Sequence, residues 1–292
     1  MKFIHLMLKK NVRECMQTER APAMTQDVTL TLGRRIGEGR TAEIYAWGET
    51  EVLKLYRPGW PTSSVEQEAH ISRLVAESRL PVPAVGGMVE VDGRLGIVFE
   101  RIAGHSLVQH FVSRPWTLLN TLHAFTDLHL AMHAQVIPDL PSQRQRLIQQ
   151  IQDAALVPAT ARQAALSSLE HLADGQALCH GDYHPENVLM ARHGPVILDW
   201  EGATSGHPLA DVARTALIVQ MAALLPSQRA QWLLTSVRNR VGAAYIRRYL
   251  RQSTACQEDL AAWQLPILVA RLGEGIAEEQ EPLLRQLQTI QY

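Results

Sequence analysis

The stretch that decides the fold is residues 179–201, CHGDYHPENVLMARHGPVILDWE. Asp182 is followed five residues later by Asn187, and the apolar run 195–198 leads directly into Asp199. Short apolar segments on both sides of residues 180–187 indicate that these residues form a polar loop held between buried strands. Because a buried aspartate is costly unless it is paired or used in chemistry, this arrangement indicates a functional site.

The three polar residues match the requirements of phosphoryl transfer. That reaction needs a carboxylate within hydrogen-bond reach of the attacking hydroxyl, and we assign Asp182 to this role as catalytic base. Mg²⁺ prefers hard oxygen ligands, so we assign Asn187 and Asp199 to the metal on the nucleotide phosphates. The alternative interpretation is an Asx turn followed by an ordinary strand end.

Other polar residues near this loop have structural alternatives. We expect His180 to be a core residue that braces the loop, and His184 to belong to the loop structure rather than to contact substrate. Asp211 opens a helix, where it either accepts backbone amides of the catalytic loop or caps its own helix. Glu201 is open between a metal or substrate contact and an exposed loop carboxylate.

Residues 28–56 have the pattern of a hairpin-rich β segment. Gly37 and Gly39 allow backbone amides to approach phosphates closely because no Cβ blocks the way, although such a pair also occurs in ordinary turns. Lys54 lies in an apolar strand fifteen positions after Gly39. It fits a phosphate-pairing role, and the alternative is an edge-strand lysine whose ammonium group reaches solvent.

A helix is predicted over residues 62–79, and we choose Glu68 within it as the partner of Lys54. A hairpin with an Asp-Gly turn is predicted over residues 85–99. The following segment, 100–104, reads as a connector between two lobes.

The helical pattern continues to the end of the chain. An apolar stripe runs through Leu118, Leu122, Phe125, Leu128 and Met132. Helices are predicted over residues 147–172, with a break at Pro158, and over residues 212–292, with separations at Pro226, Pro266 and Pro282.

Three further patterns carry weaker signals. His129 and His133 have a spacing that suits zinc, but no third ligand stands nearby in the sequence, so packing or surface histidines are favoured. Arginines at 238–251 interleave with two tyrosines, and a solvated face is favoured over an anion or nucleic-acid patch. The last pattern places Glu274, Glu278 and Glu281 on one helical face, which either receives a polycationic acceptor or is simply solvated.

The fold class that these patterns predict is α+β with two lobes. We expect residues 1–24 to be a disordered extension. Residues 25–103 would form a small N-terminal nucleotide-binding lobe with an antiparallel β-sheet and one helix. Residues 104–292 would form a larger, mainly α-helical lobe that carries catalysis and acceptor binding.

The composition of the chain indicates which kinds of partner it can bind and in which compartment it functions. The chain has 292 residues, with 28 Lys+Arg against 29 Asp+Glu, so it has no net basic field to attract nucleic acid or anionic lipid. The three cysteines are isolated and lack metal or redox spacing, which favours a reducing cytoplasm. We therefore expect a cytoplasmic protein with no nucleic-acid or membrane partner.

The segments HGDYHPEN, ILDWE and HPLADVAR resemble the aminoglycoside phosphotransferase family, which shares the protein-kinase-like fold. The resemblance implies that Gly37 and Gly39 form the glycine-rich loop and that Lys54 is the nucleotide lysine. It also implies that the backbone of Glu100 and Ile102 meets the adenine.

The implied cofactors are ATP, or GTP, together with Mg²⁺, and the implied partner is a small-molecule hydroxyl acceptor, with the protein a monomer or homodimer. Members of this family act on aminoglycosides, macrolides, choline, homoserine and sugars. The motif therefore names a reaction and leaves the acceptor open.

Two alternatives compete with a small-molecule kinase. One is a nucleotide-binding pseudokinase, although every expected catalytic position is filled. The other is a protein kinase, which is disfavoured because Trp200 and Glu201 follow Asp199 and because Asp211 comes only twelve residues after it, leaving no recognisable activation segment.

Overall fold

The computed structural model describes residues 32–221 and 231–290, with the backbone alone for residues 231–239. Within these ranges the chain from Leu32 onward forms one unit. The predicted extension at 1–24 lies outside the described residues, as does most of the first predicted strand.

Five strands form the antiparallel sheet of the N-terminal lobe: β1 (Arg35–Glu38), β2 (Ala42–Trp47), β3 (Glu51–Tyr56), β4 (Val85–Val91) and β5 (Arg94–Glu100). Their order is β1-β2-β3-β5-β4, so β3 is the central strand. Asp92 and Gly93 both have positive φ, 52° and 71°, at the tight turn between β4 and β5. This confirms the predicted hairpin, since Asp-Gly is the pair that such turns favour.

The helix α1 (Thr62–Ala76) packs on both lobes. Val65 and Ala69 belong to the apolar cluster that lies against the sheet. Ile71 and Val75 belong to the large core of the C-terminal lobe. The predicted helix is confirmed, although it ends at Ala76, and it ties the sheet to the catalytic half of the molecule.

The described part of the C-terminal lobe is mainly helical, and the break predicted at Pro158 falls between its third and fourth helices. The predicted apolar stripe is confirmed, because Leu122, Phe125, Leu128 and Met132 are all buried. None of the helices in the described ranges combines the length and the hydropathy that a membrane crossing needs. The helices are α2 (Leu107–Ser113), α3 (Leu118–His133), α4 (Gln143–Asp153), α5 (Ala159–His171), α6 (Pro208–Met221), α7 (Gln231–Gln252), α8 (Gln257–Ala261), α9 (Gln264–Gly273) and α10 (Ala277–Leu287).

Short strands hold the two polar loops between the helices. They form a three-stranded sheet in the order β6-β8-β9 and a two-stranded sheet of β10 and β7. The loop that contains the His-Gly-Asp motif leaves β7 and enters β8, and the loop that contains Asp199 leaves β9 and enters β10. The strands are β6 (Gly104–Ser106), β7 (Ala177–Cys179), β8 (Val188–Ala191), β9 (Gly194–Ile197) and β10 (Thr204–Gly206).

The prediction that Glu274, Glu278 and Glu281 share one helical face is wrong. Gly275 has φ 69° and separates α9 from α10, so Glu274 lies outside the helix that carries the other two. Glu274 is engaged by arginines, whereas Glu278 and Glu281 are exposed. The prediction assumed one continuous helix through Gly275. Because the left-handed backbone of Gly275 separates two helices, the three glutamates lie in different surroundings.

Two of the prolines that were predicted to separate the last helices do not do so. Pro266 lies in the first turn of α9, where a proline is tolerated, and Pro282 lies inside α10. The third, Pro226, lies outside the described residues.

The close approach of α9 to α4 gives a stability prediction. A Cβ on Gly273 would overlap the backbone carbonyl oxygen of Gln150. We expect Gly273→Ala to lower the free energy of unfolding by about 2–3 kcal/mol, as overpacking of a rigid contact does. Urea denaturation of the purified variant would measure this.

The matched control is Gly242→Ala in α7, where an added Cβ has no heavy atom of the described residues within 4 Å. There the substitution should raise stability by about 0.5–1 kcal/mol, because alanine is a better helix former than glycine. Equal effects of the two variants would show that the packing of α9 on α4 is looser than described.

Candidate active site

Lys54 of β3 joins three parts of the molecule. Its Nζ lies 2.7 Å from Oε1 of Glu68 on α1 and 2.7 Å from Oδ1 of Asp199. Burial opposes a charge on Lys54, but the carboxylates of Asp199 and Glu68 outweigh it and raise the pKa of the ammonium group. The predicted ion pair with Glu68 is confirmed, and the edge-strand alternative is wrong because β3 is central and the Lys54 side chain is only 12% exposed.

Glu68 is fixed through both of its oxygens. Oε1 accepts from Lys54, and Oε2 accepts from the hydroxyl of Tyr56. The residue is 1% exposed, so its carboxylate is shielded from water. The same burial and the charge of Glu68 raise the pKa of the Tyr56 hydroxyl, which therefore stays a proton donor. Glu68 thus holds the ammonium of Lys54 in one place.

The loop after β7 is held by its first two residues. Nε2 of His180 donates to the backbone oxygen of Leu198 at 2.9 Å, and its Nδ1 accepts from the N–H of Asp182 at 3.2 Å. Gly181 has φ 77°, and a Cβ there would overlap the carbonyl oxygen of Gly202, so only glycine fits. The prediction that His180 braces the loop is confirmed.

Asp182 and Asn187 are joined across the loop. Nδ2 of Asn187 donates to the backbone oxygen of Asp182 at 3.0 Å and to its Oδ2 at 3.4 Å. Since both partners are acceptors, the amide nitrogen must face Asp182 and the amide oxygen must face away. Among the described residues, neither Oδ1 of Asn187 nor Oδ2 of Asp199 has a hydrogen-bond partner. These are oxygen ligands of the kind that Mg²⁺ prefers, so the donor set fits that ion.

A histidine and an arginine lie beside Asp182. Nε2 of His184 lies 3.4 Å from its Oδ2, and the guanidinium of Arg214 donates to the backbone oxygen of Gly181. Burial raises the pKa of Asp182. The hydrogen bond and charge of His184, together with the charge of Arg214, outweigh this effect, so the pKa of Asp182 lies below its usual value. Asp182 is therefore ionised at neutral pH, and its side chain is 38% exposed toward the cleft.

The buried carboxylate of Asp211 anchors the loop that follows β7. Its Oδ2 accepts from the N–H of His180 at 2.7 Å, and its Oδ1 accepts from the N–H of Gly181 at 2.9 Å. The same Oδ2 lies 3.1 Å from Nε2 of His129 and 3.3 Å from Nε2 of His133. Of the two roles predicted for Asp211, acceptance of the loop amides is therefore confirmed.

The two histidines of α3 are in turn held by tyrosines of α7. Nδ1 of His129 lies 2.6 Å from the hydroxyl of Tyr245, and Nδ1 of His133 lies 2.7 Å from that of Tyr249. Burial and the neighbouring His133 lower the pKa of His129 to about 3, so this ring is neutral. The tyrosines donate to Nδ1 and the histidines donate from Nε2 to Asp211.

Asp211 supplies the third group that the sequence lacked for a zinc site. However, each ring nitrogen of His129 and His133 already has a hydrogen-bond partner in the protein. The geometry therefore supports packing as the role of this pair.

Glu201 is not an exposed loop carboxylate, so one of the two interpretations left open for it is wrong. Its carboxylate lies within 4.8 Å of those of Glu68 and Asp199. Burial raises the pKa of Glu201. The residue thus belongs to the acidic group around the ammonium of Lys54.

A cleft of about 1460 Å³ lies between the sheet and the helices. A Cβ added to Gly37 or Gly39 would meet its nearest heavy atom at 3.5 Å and 3.6 Å, so the fold itself does not require glycine at either position. The site residues predicted from the sequence all line this cleft: Gly37, Gly39, Lys54, Glu68, Glu100, Ile102, Asp182, Asn187 and Asp199.

The connector between the lobes offers two backbone groups to this cleft. Glu100 donates its N–H to the oxygen of Ala84 at 2.9 Å, so only its carbonyl is available to a ligand. The N–H of Ile102 makes no hydrogen bond to the part of the protein that the structure describes. The connector therefore presents one backbone acceptor and one backbone donor to the cleft.

Two features of the site were missed from the sequence. Arg214 lies three residues after Asp211 on the same turn of α6, a spacing that signals a shared face. Tyr245 and Tyr249 repeat the i, i+4 spacing of His129 and His133, which could have indicated two facing helices.

Comparison with known proteins assigns the chain to a family. The family model described as "Phosphotransferase enzyme family" matches residues 33–263. No curated protein matches the chain in sequence.

Solved structures share the fold at low identity. A thermostable mutant of aminoglycoside phosphotransferase APH(4)-Ia, in a ternary complex with AMP-PNP and hygromycin B, is 18% identical with a TM-score of 0.61, covering 87% of this chain and 90% of that one. Amicoumacin kinase hAmiN, with AMP-PNP, Ca²⁺ and Ami, is 13% identical with a TM-score of 0.58, covering 87% and 86%. APH(2")-IIa, with streptomycin and ATP, is 14% identical with a TM-score of 0.56, covering 90% and 93%. The predicted protein-kinase-like α+β fold is therefore confirmed.

The anchoring of the loop gives a second prediction. In Asp211→Asn an amide nitrogen would face donors that now meet a carboxylate oxygen, and the buried charge would be lost. We expect the free energy of unfolding to fall by about 3–5 kcal/mol, as it does when a buried charged network is broken. Urea denaturation followed by circular dichroism would measure the change.

Asp127→Asn is the matched control. Asp127 accepts three hydrogen bonds from Arg248, at 3.1 Å from Nε and at 2.7 and 2.8 Å from Nη2, and one from Gln252 at 3.0 Å, but its side chain is 39% exposed. Its replacement should cost about 0–1 kcal/mol because water screens the pair. A loss in Asp211→Asn no larger than in this control would contradict the anchoring role.

Proposed function

We propose that this chain, which belongs to the phosphotransferase enzyme family, moves the γ-phosphate of ATP to a hydroxyl group of a small molecule. The observation that carries the proposal is the convergence of Lys54, Glu68 and Asp199 with the Asp182–Asn187 pair on one cleft. Solved proteins of this fold form ternary complexes with AMP-PNP and hygromycin B or with ATP and streptomycin, which supports a nucleotide here.

The N-terminal lobe would hold the nucleotide. Gly37 and Gly39 line the cleft and carry no Cβ, so phosphate oxygens would approach the backbone of this hairpin closely, although the N–H of Gly39 itself donates to the oxygen of Ala42 at 2.8 Å. The ammonium of Lys54, oriented by Glu68, would neutralise phosphate charge. The carbonyl of Glu100 and the N–H of Ile102 would meet the base, an arrangement that either ATP or GTP satisfies in part.

Asn187 Oδ1 and Asp199 would hold Mg²⁺, and this ion would neutralise charge on the phosphates as they react. Asp199 is already drawn to Lys54 by a 2.7 Å contact, which keeps its carboxylate at the phosphate end of the cleft.

Asp182 would receive the acceptor. Its ionised carboxylate accepts a hydrogen bond from the attacking hydroxyl and takes its proton, while that oxygen bonds to the γ-phosphorus and the bond to ADP breaks. The amide of Asn187 fixes one oxygen of Asp182, so the other can face the hydroxyl. Most of the rate enhancement then comes from positioning and from charge neutralisation.

The other expected properties stay predictions. They are a monomer or homodimer in the cytoplasm, with no nucleic-acid or membrane partner.

The role of Asp182 has a direct test. Asp182→Asn keeps the size of the side chain but removes the proton acceptor, so turnover should fall by about two to four orders of magnitude. The KM for ATP should change little, because the proposal gives Asp182 to the acceptor hydroxyl and the phosphates to Lys54 and the Mg²⁺ ligands. A coupled ADP assay with an active acceptor would measure both constants.

The control is Glu170→Gln on α5, which removes an exposed carboxylate outside the cleft and should leave turnover within about twofold, the usual range for a surface change. Full activity of Asp182→Asn would show that another group receives the proton.

The metal assignment gives a further prediction, which also separates an enzyme from a pseudokinase. Slow ATP hydrolysis in the absence of acceptor should require Mg²⁺, stop with EDTA, and be lost in Asp199→Ala. Asp174→Ala, at a carboxylate that is 65% exposed, should keep it. Nucleotide binding without any Mg²⁺-dependent hydrolysis would favour the pseudokinase.

A further inference from the structure

We propose that the acceptor is an alcohol with a large apolar skeleton and at most one positive charge, and not a polycationic amino sugar. This inference rests on the proposed function, because it concerns the part of the same cleft that faces Asp182 from the helical lobe.

The helical wall of the cleft is apolar. Phe125 of α3, Ile218 and Val219 of α6, and Val241 of α7 line it, and Ile276 between α9 and α10 lines it as well. These residues come from four separate parts of the C-terminal lobe. An acceptor that enters beside the catalytic loop therefore meets hydrocarbon on several sides.

This apolar wall begins next to the proposed base. The ring of Phe125 stacks on that of Tyr183, with centroids 4.3 Å apart, and Tyr183 follows Asp182 in the chain. Phe125 also lies 5.6 Å from the ring of Tyr245, whose hydroxyl is engaged by His129. The polar end of that tyrosine is thus turned to the protein.

Two charged residues of the helical lobe that line the cleft, Arg271 and Glu279, are neutralised by each other and by their neighbours. Arg271 binds Glu279 through two contacts of 2.7 Å. Glu274 lies 2.6 Å from Arg271 and 2.6 Å from Arg214. Two arginines and two glutamates form a closed group with no net charge, so neither carboxylate is free to bind an ammonium group.

The sequence extends this argument beyond the described side chains. Residues 101–126 and 212–257 contain no aspartate or glutamate. The second range includes the end of α6, all of α7 and the residues between them. It contains seven arginines: Arg214, Arg229, Arg238, Arg240, Arg247, Arg248 and Arg251. No acidic side chain from either range can therefore meet a cationic acceptor.

Few carboxylates remain for such an acceptor. Asp182, Asp199 and Glu201 belong to the transfer centre, and Glu279 is paired, which leaves the exposed Glu186 among the cleft-lining acidic residues of the helical lobe. Moving several ammonium groups from water to an apolar wall without counter-charges is unfavourable. An apolar skeleton gains free energy from the same burial. One amine is the most that this surface accommodates.

Two probes and two variants test the proposal. Hygromycin B serves as the polycation, and erythromycin, a macrocyclic lactone alcohol with one amine, serves as the apolar probe. Val219→Glu places a carboxylate on the apolar wall at a half-buried position, and Val112→Glu makes the same change at a residue that is 68% exposed and does not line the cleft. Acceptor-dependent ADP release would be measured for each pair, with binding in the presence of AMP-PNP measured by calorimetry.

For the wild type, kcat/KM should be at least about tenfold higher with erythromycin than with hygromycin B. Val219→Glu should raise the KM for erythromycin about tenfold with the KM for ATP unchanged, and Val112→Glu should match the wild type. Preference for hygromycin B, or an unchanged KM in Val219→Glu, would overturn the proposal.

The binding arm separates this proposal from the proposed function. If neither probe is phosphorylated but erythromycin binds at least about tenfold more tightly than hygromycin B, the acceptor class stands and phosphoryl transfer to it fails. If erythromycin neither reacts nor binds, the acceptor class is wrong, whatever the outcome of the Mg²⁺-dependent ATP hydrolysis.

Discussion

The buried carboxylate of Asp211 is the constraint on which the catalytic loop depends. Removing a charge from water is costly, and here four hydrogen bonds from His129, His133 and the amides of His180 and Gly181 offset that cost. The backbone amides immediately before Asp182 are therefore fixed in space. Because the donors to the two histidines come from α7, the position of the catalytic loop is tied to the packing of two long helices and not to the loop sequence alone.

Lys54 provides the corresponding link on the other side of the cleft. Its two carboxylate partners belong to different lobes, so their separation is set by one ammonium group. The helix α1 reinforces this link, since Glu68 points to the sheet while Ile71 packs into the core of the helical lobe. Asp211 and Lys54 together fix both walls of the cleft, Asp211 through its hydrogen bonds to the catalytic loop and Lys54 through its ion pairs to both lobes.

The parts of the site that the sequence predicts are those encoded within short segments. Asp182, Asn187 and Asp199 lie within eighteen positions of one another, and a lysine in an apolar strand is visible by itself. The partners of Asp211 are separated from it by 78 and 82 residues, and those histidines from their tyrosines by 116. A helical period shows which face is buried but not which helix covers it. The false glutamate face had the same origin, because the repeat was extended through Gly275, whose left-handed backbone ends the helix.

Sequence motifs do not identify the acceptor, and the reason is physical. Phosphoryl transfer requires carboxylates, an amide and a lysine at fixed mutual positions, whereas binding an acceptor requires only a surface of matching polarity. The polarity of such a surface is visible only in the amino-acid composition of long segments. The net charge of −1 does not reveal this uneven distribution. Residues 101–126 and 212–257 contain no acidic residue, and the rest of the chain carries all 29 of them. The distribution of charge along the chain, combined with the contacts that neutralise Arg271 and Glu279, is therefore more informative about the acceptor than any single residue of the transfer centre.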